Sequence, residues 1–131
     1  MELALLRHWD NGLALIPFAA LAVLTIAIIL VARRPDARAI TAARALATAV
    51  LVTSAIGVLI HIRANYEAAP LDFRYTDSWP TTSEPVRWLL AATDTVGPSP
   101  TLAPAAIAFM ALALLLATIH HPSRPSAPLE L

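Results

Sequence analysis

Four histidines, nine carboxylates and no cysteine are what this chain offers for chemistry. The densest grouping lies in SAIGVLIHIRANYEAAPLDFRY, from Ser54 to Tyr75. Ser54, Gly57, His61 and Asn65 recur there at spacings of three, four and four, which places them on one helix face. Glu67 follows just beyond. The nearest histidine companion for His61 is His8, because both precede or follow an apolar run at the same membrane face. Two imidazoles joined by Asp10, Glu67 or Asp72 could hold zinc, copper(II) or ferrous iron, and a lone His61 could ligate haem. No HxxH or HxxxH pair fixes two ligands at a set spacing. The plainer reading gives His61 a backbone carbonyl or Glu67 as acceptor and leaves His8 solvated.

Other chemistries lack their residues. Without cysteine there is no thiol catalysis, thiolate metal site or thioether haem attachment. Ser54 and Ser83 stand outside any GxSxG setting, and neither HExxH nor a phosphate loop occurs. The loop acids, among them Glu67, Asp72 and Asp77, have Arg63, Arg74 and Arg87 as partners and read as a solvated surface. No catalytic residue is expected.

The elements that must position these residues are set by hydropathy. Apolar residues make up 58% of the chain and charged residues 14%, and the charges cluster between long apolar runs. Mean hydropathy is +0.67. This is the pattern of a polytopic membrane protein. Spans are expected over residues 12–32, 45–62 and 102–119, each close to the ~20 residues that cross a hydrocarbon core of about 30 Å. Pro17 falls in the second turn of the first span and Pro104 in the first turn of the third, where a missing N–H costs little. The small residues of the second span (Ala45, Ala47, Ala49, Ala55, Gly57) suit close helix approach. MELALLRHWDN carries Glu2 and Asp10 beside Arg7, so the first span reads as retained and not as a cleaved signal. The fold class is therefore an all-α membrane protein, a single membrane domain over residues 1–131, with three transmembrane helices and a long, partly helical external loop over 64–101. The tail 122–131, rich in Pro and Ser, is expected to be disordered.

Arginine counting orients the chain. Arg33, Arg34, Arg38 and Arg44 lie between spans one and two, expected as a short loop, and Arg124 lies in the tail. The loop between spans two and three has three Arg against five acids. The positive-inside rule puts the first loop and the C-terminus in the cytoplasm and the N-terminus outside. Trp9, Tyr66, Trp79 and Trp88 all fall on the outer side and read as interfacial anchors, with the loop lying on the bilayer. Ser83-Glu84-Pro85 reads as the start of a short helix, with Ser83 at the N-cap. His61 and the His120-His121 pair end antiparallel spans at opposite faces, about 25 Å apart, so no monomer joins them through one haem. A net charge of zero gives no reason to expect nucleic acid. No ionisable residue lies in the membrane interior of the three spans, which speaks against a proton-coupled transporter.

Gly57-Val58-Leu59-Ile60-His61 with Asn65-Tyr66-Glu67, then Gly97-Pro98, Leu102-Ala103-Pro104 and His121-Pro122, resembles a group of small bacterial integral membrane proteins with a G-x3-H-x3-N-x-E, L-A-P and H-P pattern. The resemblance covers Ser54 to Pro122. That group has no assigned activity, so what it implies is architecture, a place in the bacterial cytoplasmic membrane, and attention to His61, Asn65 and Glu67. The expected role is a non-enzymatic accessory or assembly subunit, partnered by the lipid bilayer and by another membrane protein or copies of itself. The alternative is an outer-face metal- or haem-binding protein using His61.

Overall fold

Asp36 decides where the longest helix starts. Its Oδ1 accepts the Ala39 N–H at 2.7 Å and its carbonyl accepts the Ile40 N–H at 3.0 Å, so it serves as an N-cap. The helix it opens runs Ala37–Ala68, 32 residues. The computed structural model of the chain describes residues 15–33 and 36–119. Within them the α-helices are α1 (Ile16–Arg33), α2 (Ala37–Ala68), α3 (Glu84–Ala92) and α4 (Leu102–Ile119). Two 3-10 turns, Ala69–Leu71 and Trp79–Thr81, separate α2 from α3. The described residues contain no strand. Helices α1, α2 and α4 are each long and apolar enough to cross a membrane.

Helix α2 departs from the expected span at both ends. It begins at Ala37, so Arg38 and Arg44 are helical and not part of a loop. The Pro-Asp pair ahead of Ala37 is the N-cap signal that hydropathy alone passes over. At the other end the helix continues from Ile62 to Ala68, through residues counted above as loop. Arg63, Asn65 and Glu67 are polar without being helix breakers, and Arg63 Nε donates to Glu67 Oε1 one turn on, at 2.8 Å. Helix α4 spans Leu102–Ile119, the range expected for the third span. Helix α3 starts at Glu84 with Ser83 at the N-cap, φ −64° and ψ 146°, though the serine side chain makes no capping bond. Trp9, His8, His120, His121 and the tail lie outside the described residues.

The chain divides into two compact units, Met1–Val52 with Ile107–Leu131, and Thr53–Ala106. The first unit is an apolar seam. Leu24, Ala47, Val50, Ile107 and Ala111 are buried together, with Ala20, Val23, Leu51, Leu114 and Leu115 packed against them. Ala43, Ala47 and Ala111 are fully buried, so small side chains let the helices approach closely. Arg44 on α2 donates through Nη2 to the Thr118 carbonyl, satisfying an orphan acceptor in the last turn of α4.

The second unit has a different interior. Ala69, Trp79, Ala91 and Val96 are buried with Ile62, Tyr66, Tyr75 and Leu90 against them. Asn65 and Thr101 are buried there too, at 0% and 3% exposure. A buried primary amide needs partners for two donors and an acceptor, or it costs several kcal/mol, roughly 1–3 for each unmet group.

Candidate functional site

The face of α2 singled out by spacing is its packed side within the second unit. Ser54 and Asn65 are buried, His61 is half-buried, and a Cβ built on Gly57 would stand 3.4 Å from Pro104 Cβ of α4. Glu67 is elsewhere. Six residues after His61 it lies around the helix, exposed and paired with Arg63.

Asn65 anchors what this face builds. Its Nδ2 donates to the Ser99 carbonyl at 2.8 Å and to the Ala91 carbonyl at 3.1 Å, and stands 3.4 Å from Asp94 Oδ1. Its Oδ1 accepts the Ser99 N–H at 2.8 Å. One side chain thus ties α2 to the end of α3 and to the turn that leads into α4. Gly97 makes the approach possible. It sits at φ +81°, and a Cβ there would fall 2.5 Å from Asn65 Oδ1 and 2.6 Å from Asn65 Cα. Only glycine fits both the backbone angle and the space.

Asp94 occupies the position after the C-cap of α3, at φ 55°. The following residue, Thr95, donates its N–H to the Leu90 carbonyl at 3.1 Å, which is the six-to-one bond of a Schellman ending. Glycine is the usual occupant of such a site, and a left-handed aspartate costs roughly 1 kcal/mol. The carboxylate offsets this by reaching the start of α4. Its oxygens accept the Thr101 N–H at 3.0 and 3.1 Å, and Thr101 Oγ1 lies 2.6 Å from Oδ1. The carboxylate therefore sits at a helix N-terminus, where the macrodipole favours negative charge. Desolvation pushes the Asp94 carboxyl up, but hydrogen bonds from Thr101 and from the Leu102 N–H, with the charge of His61, outweigh it and hold it below the ordinary carboxylate value.

Asp94, Gly97, Ser99 and Thr101 are the residues that spacing on α2 does not reveal, because they lie 29 to 36 positions further along. The available signals are Thr101 ahead of Leu-Ala-Pro, an N-cap pattern, and Gly97-Pro98 as a turn. Chemically the knot spends its donors and acceptors on itself. What remains is His61, whose Nδ1 is buried without a hydrogen-bond partner. Among the described residues no three His, Cys, Asp or Glu side chains converge. Asp72 is held by Arg74 through bonds of 3.0 and 2.6 Å, which keeps its carboxyl below the usual range, and Glu67 is paired with Arg63.

Beside the knot stands an aromatic cluster. Tyr66 stacks on Trp88 with centroids 4.5 Å apart and meets Trp79 edge-on at 5.4 Å. Glu84 Oε1 accepts from Tyr66 Oη at 2.9 Å and from Trp88 Nε1 at 3.1 Å. Arg87 stands 5.6 Å from the Trp79 ring and donates to the Pro80 carbonyl at 2.9 Å. Trp79, expected as an interfacial anchor, is the most buried of these aromatic rings. It is 5% exposed and packs the interior of the unit, because Tyr66 and Arg87 cover it. Trp88, at 43% exposure, keeps a face outward. Comparison of the chain with family models, with curated proteins and with solved structures finds no match.

Proposed function

We propose that this chain is a non-enzymatic accessory or assembly subunit of a bacterial inner-membrane complex, with the second unit as its docking head. The observation that carries the reading is a pair of apolar side chains beyond the apolar part of α2. Leu71 and Phe73 are 87% and 89% exposed. The charge-free stretch of α2 ends at Ile62, and six more helical residues raise the chain about 9 Å before the 3-10 turn that holds Leu71. The headgroup layer on each side of a bilayer is only about 5–7 Å deep. With the apolar part of α2 in the bilayer, the continued helix would carry this part of the loop past the headgroups. Two exposed apolar groups above the headgroups suit a protein partner better than lipid.

Arginine placement supports the orientation. Arg33, Arg34, Arg38 and Arg44 would face the cytoplasm, with Leu71 and Phe73 outside. Ala45 and Ala55 are exposed along α2, while Ala47 and Gly57 are used within the chain. Extraction in mild detergent followed by a native gel tests the proposal. A larger assembly is expected, and Leu71→Ser with Phe73→Ser should release this chain from it. A clean monomer from the unmodified protein, with nothing co-purifying, would overturn it.

The second reading, a metal or haem at His61, is favoured by the unpartnered Nδ1. It needs further ligands, for which His8 is the candidate. An absorption spectrum and elemental analysis of the same preparation decide it: no Soret band and no stoichiometric metal would remove it.

A further inference from the structure

The first unit contains a groove of about 380 Å³ between α1 and α4, lined by Leu21, Leu24, Thr25 and Ile28 on one side and by Met110, Ala113, Leu114 and Ala117 on the other. The space exists because α4 presents alanines at two of its four lining positions. Its one polar residue asks for nothing, since Thr25 Oγ1 donates to the Leu21 carbonyl of its own helix at 2.8 Å. An apolar, unbranched occupant fits such a wall.

The end of the groove is not apolar. Ala117 adjoins Thr118, whose carbonyl accepts from Arg44, and Arg44 Nε is buried with no hydrogen-bond partner. That nitrogen is shut in, so a headgroup would meet the half-buried guanidinium through the Nη hydrogens not spent on Thr118, for which a phosphate oxygen is a natural acceptor. Arg33 follows Ile28 on α1 by five residues, about 7.5 Å along the axis. Arg38 lies near the start of α2. Among the described residues none of these three arginines forms an ion pair; the neighbouring carboxylate, Asp36, is turned to the Ala39 N–H. Over residues 33–44 the sequence carries four arginines and one aspartate, a net charge of +3.

We infer that this unit holds one anionic phospholipid, with an acyl chain in the α1–α4 groove and the phosphate against Arg44 and Arg33. Basic sites between transmembrane helices are suited to anionic headgroups, each Arg near the surface contributing about 1 kcal/mol, or roughly five-fold in affinity. The groove supplies what a free phosphate would lack, and the arginines supply what a zwitterionic lipid would not need.

Native mass spectrometry of the full chain in mild detergent, with phosphatidylglycerol or phosphatidylcholine of identical acyl chains, tests this. The expected result is one phosphatidylglycerol per chain, retained at least ten-fold better than phosphatidylcholine. Arg33→Gln should lower that retention about five-fold, and Arg44→Gln more; Arg33 sits at the exposed end of α1, so its variant keeps the test valid if the Arg44 variant misfolds. Ala117→Leu, which fills the groove, should lower retention without touching a charge. Equal retention of the two lipids, unchanged retention in Arg33→Gln, or unchanged retention in Ala117→Leu would each overturn the assignment. Displacement of the lipid by excess glycerol phosphate would also overturn it, by showing that the anion alone is recognised.

Discussion

The unit formed by Met1–Val52 with Ile107–Leu131 and the unit formed by Thr53–Ala106 draw on two of the same helices but are held together differently. In the first, Leu24, Ala47, Val50, Ile107 and Ala111 meet through size and shape, and Arg44 donates to the end of α4. In the second, Asn65, Asp94 and Thr101 make directed bonds across α2, α3 and the start of α4. Size complementarity tolerates small errors by sliding or re-packing; a satisfied buried amide does not. The difference also fits the surroundings proposed for each. Apolar burial brings little net gain between helices already in lipid, so the first unit relies on close packing. The second carries irregular backbone at the edge of the spans, where every N–H and carbonyl must find a partner.

The largest test of this contrast is Gly97→Ala. The new methyl group meets Asn65 at 2.5 to 2.8 Å and sits on a residue at φ +81°, so both strain and collision act. We expect destabilisation on the order of 3 kcal/mol, confined to the second unit. Hydrogen exchange should rise over residues 85–101 and stay unchanged over 40–50. An equal rise in both segments would show that the two interiors do not respond separately. Next in size is Ala47→Leu, which inserts three carbons at a position with no exposed surface. Overpacking of this kind costs about 1–3 kcal/mol. Here the rise in exchange should appear over 40–50, while fluorescence from Trp79 and Trp88, read in a Trp9→Phe background, keeps its maximum. A shift of that maximum would count against separate interiors.

The same contrast explains what could be read from the sequence. The apolar runs foretold three long helices, and α4 matches its expected range of 102–119, because hydropathy and a following breaker define such a segment locally. The start of α2 was missed because Asp36 acts through one capping bond, which a hydropathy window averages away. The face Ser54, Gly57, His61, Asn65 followed from helical period, yet its meaning did not. Whether such a face binds a ligand or packs depends on Ala91, Asp94 and Ser99, which arrive 26 to 34 residues later through a loop. Composition marks an aromatic loop, but only the fold shows that Tyr66 and Arg87 cover the Trp79 ring.

The smallest expected effect is on acid sensitivity, and it is read in the second unit. Asp94 is held below the ordinary carboxylate value by the donors at the start of α4 and by His61. A depressed folded value means that the unfolded chain binds the proton first as pH falls. The stabilisation is thus complete above the unfolded carboxylate value, near pH 4, and disappears as pH drops through the lower folded value. Unfolding of the second unit, followed by Trp79 and Trp88 fluorescence in the Trp9→Phe background, should therefore become easier below about pH 4. Asp94→Asn should flatten that dependence. The substitution keeps an acceptor for Thr101 but removes the charge at the helix N-terminus, so it should also lower stability slightly at neutral pH. Unchanged acid sensitivity in Asp94→Asn would assign the effect to another carboxylate in the unit, with Asp72 and its bond to Arg74 the first to examine.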